Sequence, residues 1–212
     1  MGQRASGLYS ILGNPMAYKA VQKIFGSTAA GWRKLVNEHI RPPQNARILD
    51  IGCGPADILE YLPGVNYYGF DSNPAYIKAA QRRYGQAGIF YCGLVEEGRN
   101  IPNETFDLVL ALGVLHHLDD QATKALFRLA EAALRPGGRL VTLDGCLIAR
   151  QNPLARFFIK HDRGRNVRTP EEYLRLAREV FSDSDGLVAH RRWLPYTHWI
   201  MQCSKPTDLE GE

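Results

Sequence analysis

The chain carries the run Ile48-Leu49-Asp50-Ile51-Gly52-Cys53-Gly54-Pro55 followed by Gly69-Phe70-Asp71-Ser72-Asn73-Pro74, and few folds accommodate both. The first run reads as a buried strand that ends in a glycine turn, and the second as the next strand, tipped by a carboxylate about twenty residues on. Glycines at 52 and 54 let the backbone pass close to a ligand in conformations closed to residues with a Cβ. A carboxylate at a strand tip can take both hydroxyls of a ribose. The two runs together describe a nucleoside-cofactor site at the carboxyl edge of a parallel sheet.

The pattern after Ala46 supports such a sheet. Strands are expected at 46–51, 65–71, 87–93, 106–112 and 138–145, with helices between them at about 55–62, 74–84 and 119–135. Strands that alternate with helices imply right-handed crossovers and mainly parallel pairing. Arg135-Pro136-Gly137-Gly138 is read as the turn that stops the last of these helices and enters the fifth strand.

The flanks differ from this core. Between Leu8 and Ile40, apolar residues at Val21, Ile24, Phe25, Trp32, Leu35, Val36 and Ile40 recur at helical steps, broken at Gly26-Ser27-Thr28. Ser27 or Thr28 can cap the second helix, and Arg41-Pro42-Pro43 ends it. Beyond Asp144 a short helix near 153–160 and a basic loop at 161–168 precede a helix opening at Thr169-Pro170-Glu171-Glu172. Thr169 is its expected N-cap, Pro170 its first position and Glu172 the capping-box acid. Two last strands follow, near 187–193 and 197–204. One domain of 212 residues is expected, with a helical cap at 1–43, a cofactor-binding core at 44–145 and a substrate-side segment with a terminal hairpin at 146–212.

Composition narrows the setting. Hydrophobic residues make up 45% and charged residues 23%, as in a soluble globular protein. No stretch holds the roughly 18 apolar residues of a membrane span, and no apolar run follows Met1-Gly2-Gln3-Arg4, so a cytoplasmic protein without a secretory leader is expected. Cys53, Cys92, Cys146 and Cys203 form no C-x-x-C pair, which points to reduced structural thiols and no metal site. The net charge of +4 is concentrated, with Arg156, Lys160, Arg163, Arg165 and Arg168 set against Asp162 alone. Such a cluster can draw in an anionic small molecule; without interleaved aromatics or an RNA module, it argues little for nucleic acid.

The glycine turn, Asp71, Phe106-Asp107-Leu108-Val109-Leu110 and Leu134-Arg135-Pro136-Gly137-Gly138-Arg139-Leu140, taken in order over residues 46–145, resemble the class I methyltransferases that use S-adenosylmethionine. The resemblance implies a Rossmann-like α/β fold: a seven-stranded, mostly parallel sheet with a C-terminal antiparallel hairpin, here behind an N-terminal helical cap. It also implies that Asp50, Gly52, Cys53 and Gly54 face the methionine part of the cofactor. Asp71, with Ser72 and Asn73 after it, would hold the ribose, and Ala111-Leu112-Gly113 would line the pocket with main chain. Where a dinucleotide fold has a third glycine, this chain has Asp57, which disfavours a diphosphate and suits a cofactor bearing an amino group and a sulfonium. The family often places an acid after the third strand. Here Gly93 is followed by Leu94, so adenine would be held by main-chain groups and apolar contact.

Methyl transfer from a sulfonium is an in-line displacement with a good leaving group, so positioning dominates and a base is needed only for an acceptor that holds its proton. Candidates for a base or a substrate contact are Asp144 after the fifth strand, His161 in the basic loop, and Tyr196 and His198, which share a face of the last hairpin. Packing is the competing role for each of them. The adjacent His116-His117 is read as cap or floor packing rather than catalysis. Tyr9, Asn14 and Tyr18 in the cap, and Arg163 and Arg165 in the loop, are candidate substrate contacts. A small-molecule methyltransferase, O-directed if a base is required, is the leading expectation, as a monomer or homodimer. An RNA or protein methyltransferase and a non-catalytic cofactor binder are the alternatives.

Overall fold

The computed structural model describes residues 28–93, 103, 105–153, 155–156, 159, 166–190 and 196–207. They form a seven-stranded sheet in the order β3-β2-β1-β4-β5-β7-β6. Its strands are β1 (Arg47–Ile51), β2 (Asn66–Asp71), β3 (Gly88–Cys92), β4 (Phe106–Leu112), β5 (Leu134–Gly145), β6 (Asp183–His190) and β7 (Thr197–Ser204). The first five run parallel, while β7 is antiparallel to both β5 and β6. This is the expected sheet with its terminal hairpin.

Strands β1 and β4 lie at the centre and are apolar on both faces, as parallel strands covered on both sides must be. One face packs Leu49, Ile51, Val109 and Ala111 against Leu126, Phe127 and Ala130 of α3 (Asp120–Ala133) and Tyr173 and Leu176 of α4 (Pro170–Ala177). The other packs Ile48, Leu108, Leu110 and Val141 with Leu35 of α1 (Ala29–Leu35) and Ile77 and Ala80 of α2 (Pro74–Tyr84). The chain leaves β1 in one direction to build β2 and β3, then returns past it to build β4. The crevice at the carboxyl ends of β1 and β4 is therefore the switch point at which open α/β sheets bind ligands.

Local signals explain most boundaries. Thr28 accepts a hydrogen bond from the Gly31 N–H at 3.2 Å and starts α1. A π-helical turn, Val36–Ile40, prolongs that helix until Arg41 adopts a left-handed conformation before the prolines. Thr169 and Glu172 form the full capping box ahead of α4, at 3.3 and 2.7 Å.

Three boundaries differ from expectation. The helix near 55–62 is a 3-10 segment, Asp57–Tyr61, entered through Ala56 in a left-handed conformation. Strand β5 begins at Leu134, which pairs with Phe106 before the register jumps to Leu108 opposite Arg139. Arg135 to Gly138 are thus a bulge inside the strand, with Gly137 at φ +73. Strand β6 starts at Asp183, ahead of the expected 187, because Asp183-Ser184-Asp185 is polar in the way an edge strand can be. Gly186 beneath Trp199 leaves room for that ring, which a Cβ would meet at 2.4 Å.

Cys53, Cys146 and Cys203 are buried, while Cys92 is exposed on the edge strand β3. No helix among the described residues is long and apolar enough to cross a membrane. Most of the expected cap, residues 1–27, lies outside the described residues.

Candidate cofactor and acceptor site

The glycine turn is built by crowding on one side and openness on the other. The N–H groups of Gly52 and Cys53 both donate to the Phe70 carbonyl, at 2.8 and 2.9 Å, which ties the turn to β2. Gly52 has φ +72, and a Cβ there would sit 2.6 Å from a Val114 methyl. At Gly54, with φ +55, the same construction meets nothing within 4 Å. Gly52 is thus required by packing against the segment after β4, whereas Gly54 borders open space at the crevice.

Asp71 ends β2 half-buried, with its carboxylate fixed by two main-chain donors. Gly54 N–H donates to Oδ2 at 2.9 Å and Asn73 N–H to Oδ1 at 2.7 Å. Each oxygen keeps further acceptor capacity, which is what two ribose hydroxyls require. Asn73 caps α2 by accepting from Ala75 N–H at 2.9 Å, so its side chain serves the helix. Ser72, next in the chain, is exposed. Gly93 N–H donates to the Asp71 carbonyl at 3.1 Å, which brings Gly93 beside the same strand tip. Leu94 lies outside the described residues.

Asp50 is 2% exposed and accepts a short hydrogen bond from the Tyr67 hydroxyl through Oδ2. Its Oδ1 is buried without a hydrogen-bond partner among the described residues. Burial pushes its carboxyl up to about 7, the Tyr67 bond pulls it down, and the charge of Asp71 pushes it up again. An orphaned buried acceptor is costly, and a cationic group in the crevice would complete it. Cys53 beside it is a buried thiol pushed well up by burial.

The Asp57 carboxylate, expected opposite the cofactor's amino group, pairs with the Arg83 guanidinium, which also binds Glu60.

The other wall begins where β4 ends. Ala111 is buried, Leu112 and Gly113 are half-buried, and Gly113 N–H donates to the Leu143 carbonyl at 2.7 Å with φ +76. A 3-10 turn, Leu115–His117, follows. Here Asp144, expected to face the acceptor from the end of β5, is 1% exposed and turned inward. Its Oδ1 accepts from the His116 ring Nδ1 at 2.7 Å and from the His116 main-chain N–H at 3.2 Å. The carboxylate expected on the acceptor side is thus buried against the imidazole of His116, which is itself 7% exposed. Twenty-eight residues separate them, and no spacing rule reveals such a pair.

Arg168, counted in the basic cluster, is also withdrawn from that surface. It is 6% exposed and binds the carbonyls of Leu115, Leu118 and Asn166 together with Asp120. The rings of Tyr196 and His198 meet at a tilt of 43° with centroids 4.7 Å apart, sharing a face as the alternation requires. The Tyr196 ring covers Gly145, where a Cβ would fall 2.7 Å from the hydroxyl. His161, Arg163, Arg165, Tyr9, Asn14 and Tyr18 lie outside the described residues.

These residues fit a cofactor with a ribose and a positively charged amino acid end. Asp71 is presented at a strand tip and Asp50 offers an unpaired oxygen, while Gly54 leaves the turn unobstructed between them.

Comparisons with known proteins agree with that reading. A methyltransferase domain family matches residues 49–142. A ubiquinone biosynthesis O-methyltransferase of Methylobacterium nodulans is 37% identical over 101 residues, covering 46% of this chain and 40% of that protein. Its counterpart in a Methylobacterium sp. is 31% identical over 166 residues, covering 70% and 66%. The chain thus spans less than half of the first relative's length. A TehB-like SAM-dependent methyltransferase structure from Corynebacterium glutamicum superposes with a TM-score of 0.62 at 19% identity, over 90% of this chain and 96% of that one. At that identity the likeness is one of fold.

Proposed function

Because the chain belongs to the class I S-adenosylmethionine-dependent methyltransferases, we propose that it transfers the cofactor's methyl group to a hydroxyl of a small molecule. The observation that carries this is the pair of carboxylates at the tips of adjacent strands, Asp71 fixed by two main-chain donors and Asp50 with a buried unpaired oxygen, on either side of an unobstructed glycine turn. Asp71 takes the ribose hydroxyls and Asp50 the ammonium end of the methionine. The cofactor supplies an activated methyl on a sulfonium, and the chain's task is to hold the acceptor in line with it and to exclude water.

Oxygen as the acceptor atom is supported by the relatives, which are named as O-methyltransferases. A negative charge on the acceptor is supported by the run Arg156, Lys160, Arg163 and Arg165. Arg168 contributes nothing to that attraction, since its guanidinium is spent on main-chain carbonyls.

The experiment is transfer of labelled methyl from S-adenosylmethionine into the small-molecule, protein and RNA fractions of a cell extract, with Asp71→Ala as control. Label in the small-molecule fraction that disappears in the variant is the expected result. Label confined to RNA or protein, or none in any fraction, overturns the proposal.

A further inference from the structure

We infer that the outer edge of β6 is a self-complementary surface, through which two copies of this chain pair antiparallel about Leu187 into a homodimer with one continuous sheet. The inference concerns assembly and does not depend on the methyl-transfer reading.

Strand β6 closes one end of the sheet, with β7 as its only neighbour among the described residues. Its eight residues, Asp183 to His190, pair opposite Ser204 to Thr197 without a shift of register. The other side of β6 therefore presents main-chain donors and acceptors at alternate residues, a template for one more strand. Edge strands are often blunted by proline, lysine or a bulge, and β6 has none of these. Its acids are confined to one end.

That uneven charge is what selects the partner. Asp183 and Asp185 are exposed in the first half of the strand, while its last residue, His190, is followed in sequence by Arg191 and Arg192. A second copy laid antiparallel brings each acidic start against the other's basic end. Laid parallel, the two copies would set acid beside acid, which is unfavourable.

Between the two ends lies Leu187, 44% exposed. Among the described residues only one other large apolar side chain is as open, Ile89 on the opposite edge strand β3, at 47%. With Leu187 opposite its own copy, Gly186 meets Val188 and Asp185 meets Ala189, and the two leucines cover one another across the dyad. Pairing β6 onto the Ile89 edge of another copy would also cover apolar surface. That contact is head-to-tail, however, and leaves a free edge at each end, so it grows into a filament, whereas self-pairing closes at two.

The topology sets how the copies face. Strands β5 and β6 run the same way, since both are antiparallel to β7. Reversal across the dyad therefore turns the two carboxyl edges to opposite sides of the joined sheet, and each crevice stays open. A single pair of strands buries less than the roughly 1,600 Å² of a standard interface, so a reversible dimer at about 10–100 μM is expected.

The test is sedimentation equilibrium of wild type, Leu187→Lys and the double variant Asp183→Lys with Asp185→Lys across about 1–500 μM, with circular dichroism as a check on folding. Wild type should pass from monomer to dimer and no further. Each substitution counts twice at a two-fold axis, so Leu187→Lys should weaken the dimer at least about 10-fold, and the double variant should weaken it most at low salt. Crosslinking reads the register. In a Cys92→Ser background, Leu187→Cys sets two thiols opposite each other within disulfide reach, whereas Ala189→Cys leaves them about 13 Å apart along the strands. Oxidised dimer is expected for the first alone. A wild type that stays monomeric or forms open-ended oligomers, an unshifted dissociation constant in Leu187→Lys, or equal crosslinking at both positions overturns the inference. So do β6 amides protected from hydrogen exchange equally at every concentration, which would mean that the same chain covers this edge. Each of these outcomes leaves the proposed function standing, and the labelled-methyl assay decides that separately.

Discussion

The Tyr67 hydroxyl donates its hydrogen bond to the buried carboxylate of Asp50 across neighbouring parallel strands. One oxygen of a desolvated acid is thereby satisfied and the other is buried without a partner among the described residues. Burial raises this carboxyl to about 7, whereas in the unfolded chain it titrates near 4. The native state then holds a proton that the unfolded state has released. The stability contributed by neutral Asp50 is fully present below about pH 4 and is lost as pH rises through 7. Thermal denaturation of the cofactor-free protein should show this decline, flattened in Asp50→Asn.

The same acid makes binding sensitive to pH. A cationic group in the crevice favours the carboxylate, so affinity for S-adenosylhomocysteine should increase from pH 6 to 8 with release of a proton. Calorimetry in two buffers of different ionisation enthalpy measures that proton. Binding by Asp50→Asn that keeps the wild-type proton release would exclude Asp50 as its source.

Asp71 should matter to binding more than to folding. Hydrogen bonds to a charged group are worth about 1.5–3 kcal/mol, so Asp71→Asn should weaken S-adenosylhomocysteine roughly 10- to 100-fold. The fold should persist, because Asn can still accept from Gly54 N–H or Asn73 N–H. An unchanged dissociation constant would mean that the ribose lies elsewhere.

Gly52→Ala tests the crowded side of the turn. The substitution places a Cβ 2.6 Å from Val114 and forces φ +72 on a residue with a side chain, at a combined cost of about 2–4 kcal/mol. The melting temperature should fall by roughly 4–16 °C. Adding Val114→Ala should recover the steric part and leave the backbone part.

Two arginines give a controlled contrast. Arg168→Ala leaves buried main-chain acceptors without a donor and should cost about 2–4 kcal/mol, with Arg168→Lys rescuing little because an ammonium cannot span them. Arg83→Ala removes exposed pairs with Asp57 and Glu60 and should cost under about 1 kcal/mol. Equal losses in urea denaturation would contradict this assignment of the two side chains.

The parallel core was legible because its signals are local: apolar runs of strand length, a glycine turn, caps at Asn73 and Thr169, and regular alternation. The start of β6 was hidden by its polar residues, and the bulge at Arg135 to Gly138 by turn chemistry that also suits a bulge. In the site, Asp71 could be read from its place at a strand tip. The partnership of His116 with Asp144 could not, because it joins the segments after β4 and at the end of β5 through one tertiary contact. Arg168 looked like surface charge because sequence composition does not tell a solvated guanidinium from one turned inward onto carbonyls.

The contacts that shape the Asp71 corner, Gly52 and Cys53 on Phe70, Gly54 and Asn73 on Asp71, all close within a short contiguous stretch of chain. Those around His116 draw on β5 and on the segment that carries Asn166 and Arg168. Apart from Val114 against Gly52, the two sets share few members. Drift in the later half of the gene can therefore remodel what the crevice admits while the Asp71 corner is inherited unchanged, so descendants of one such chain can diverge in what they modify without relearning how to carry the group they donate.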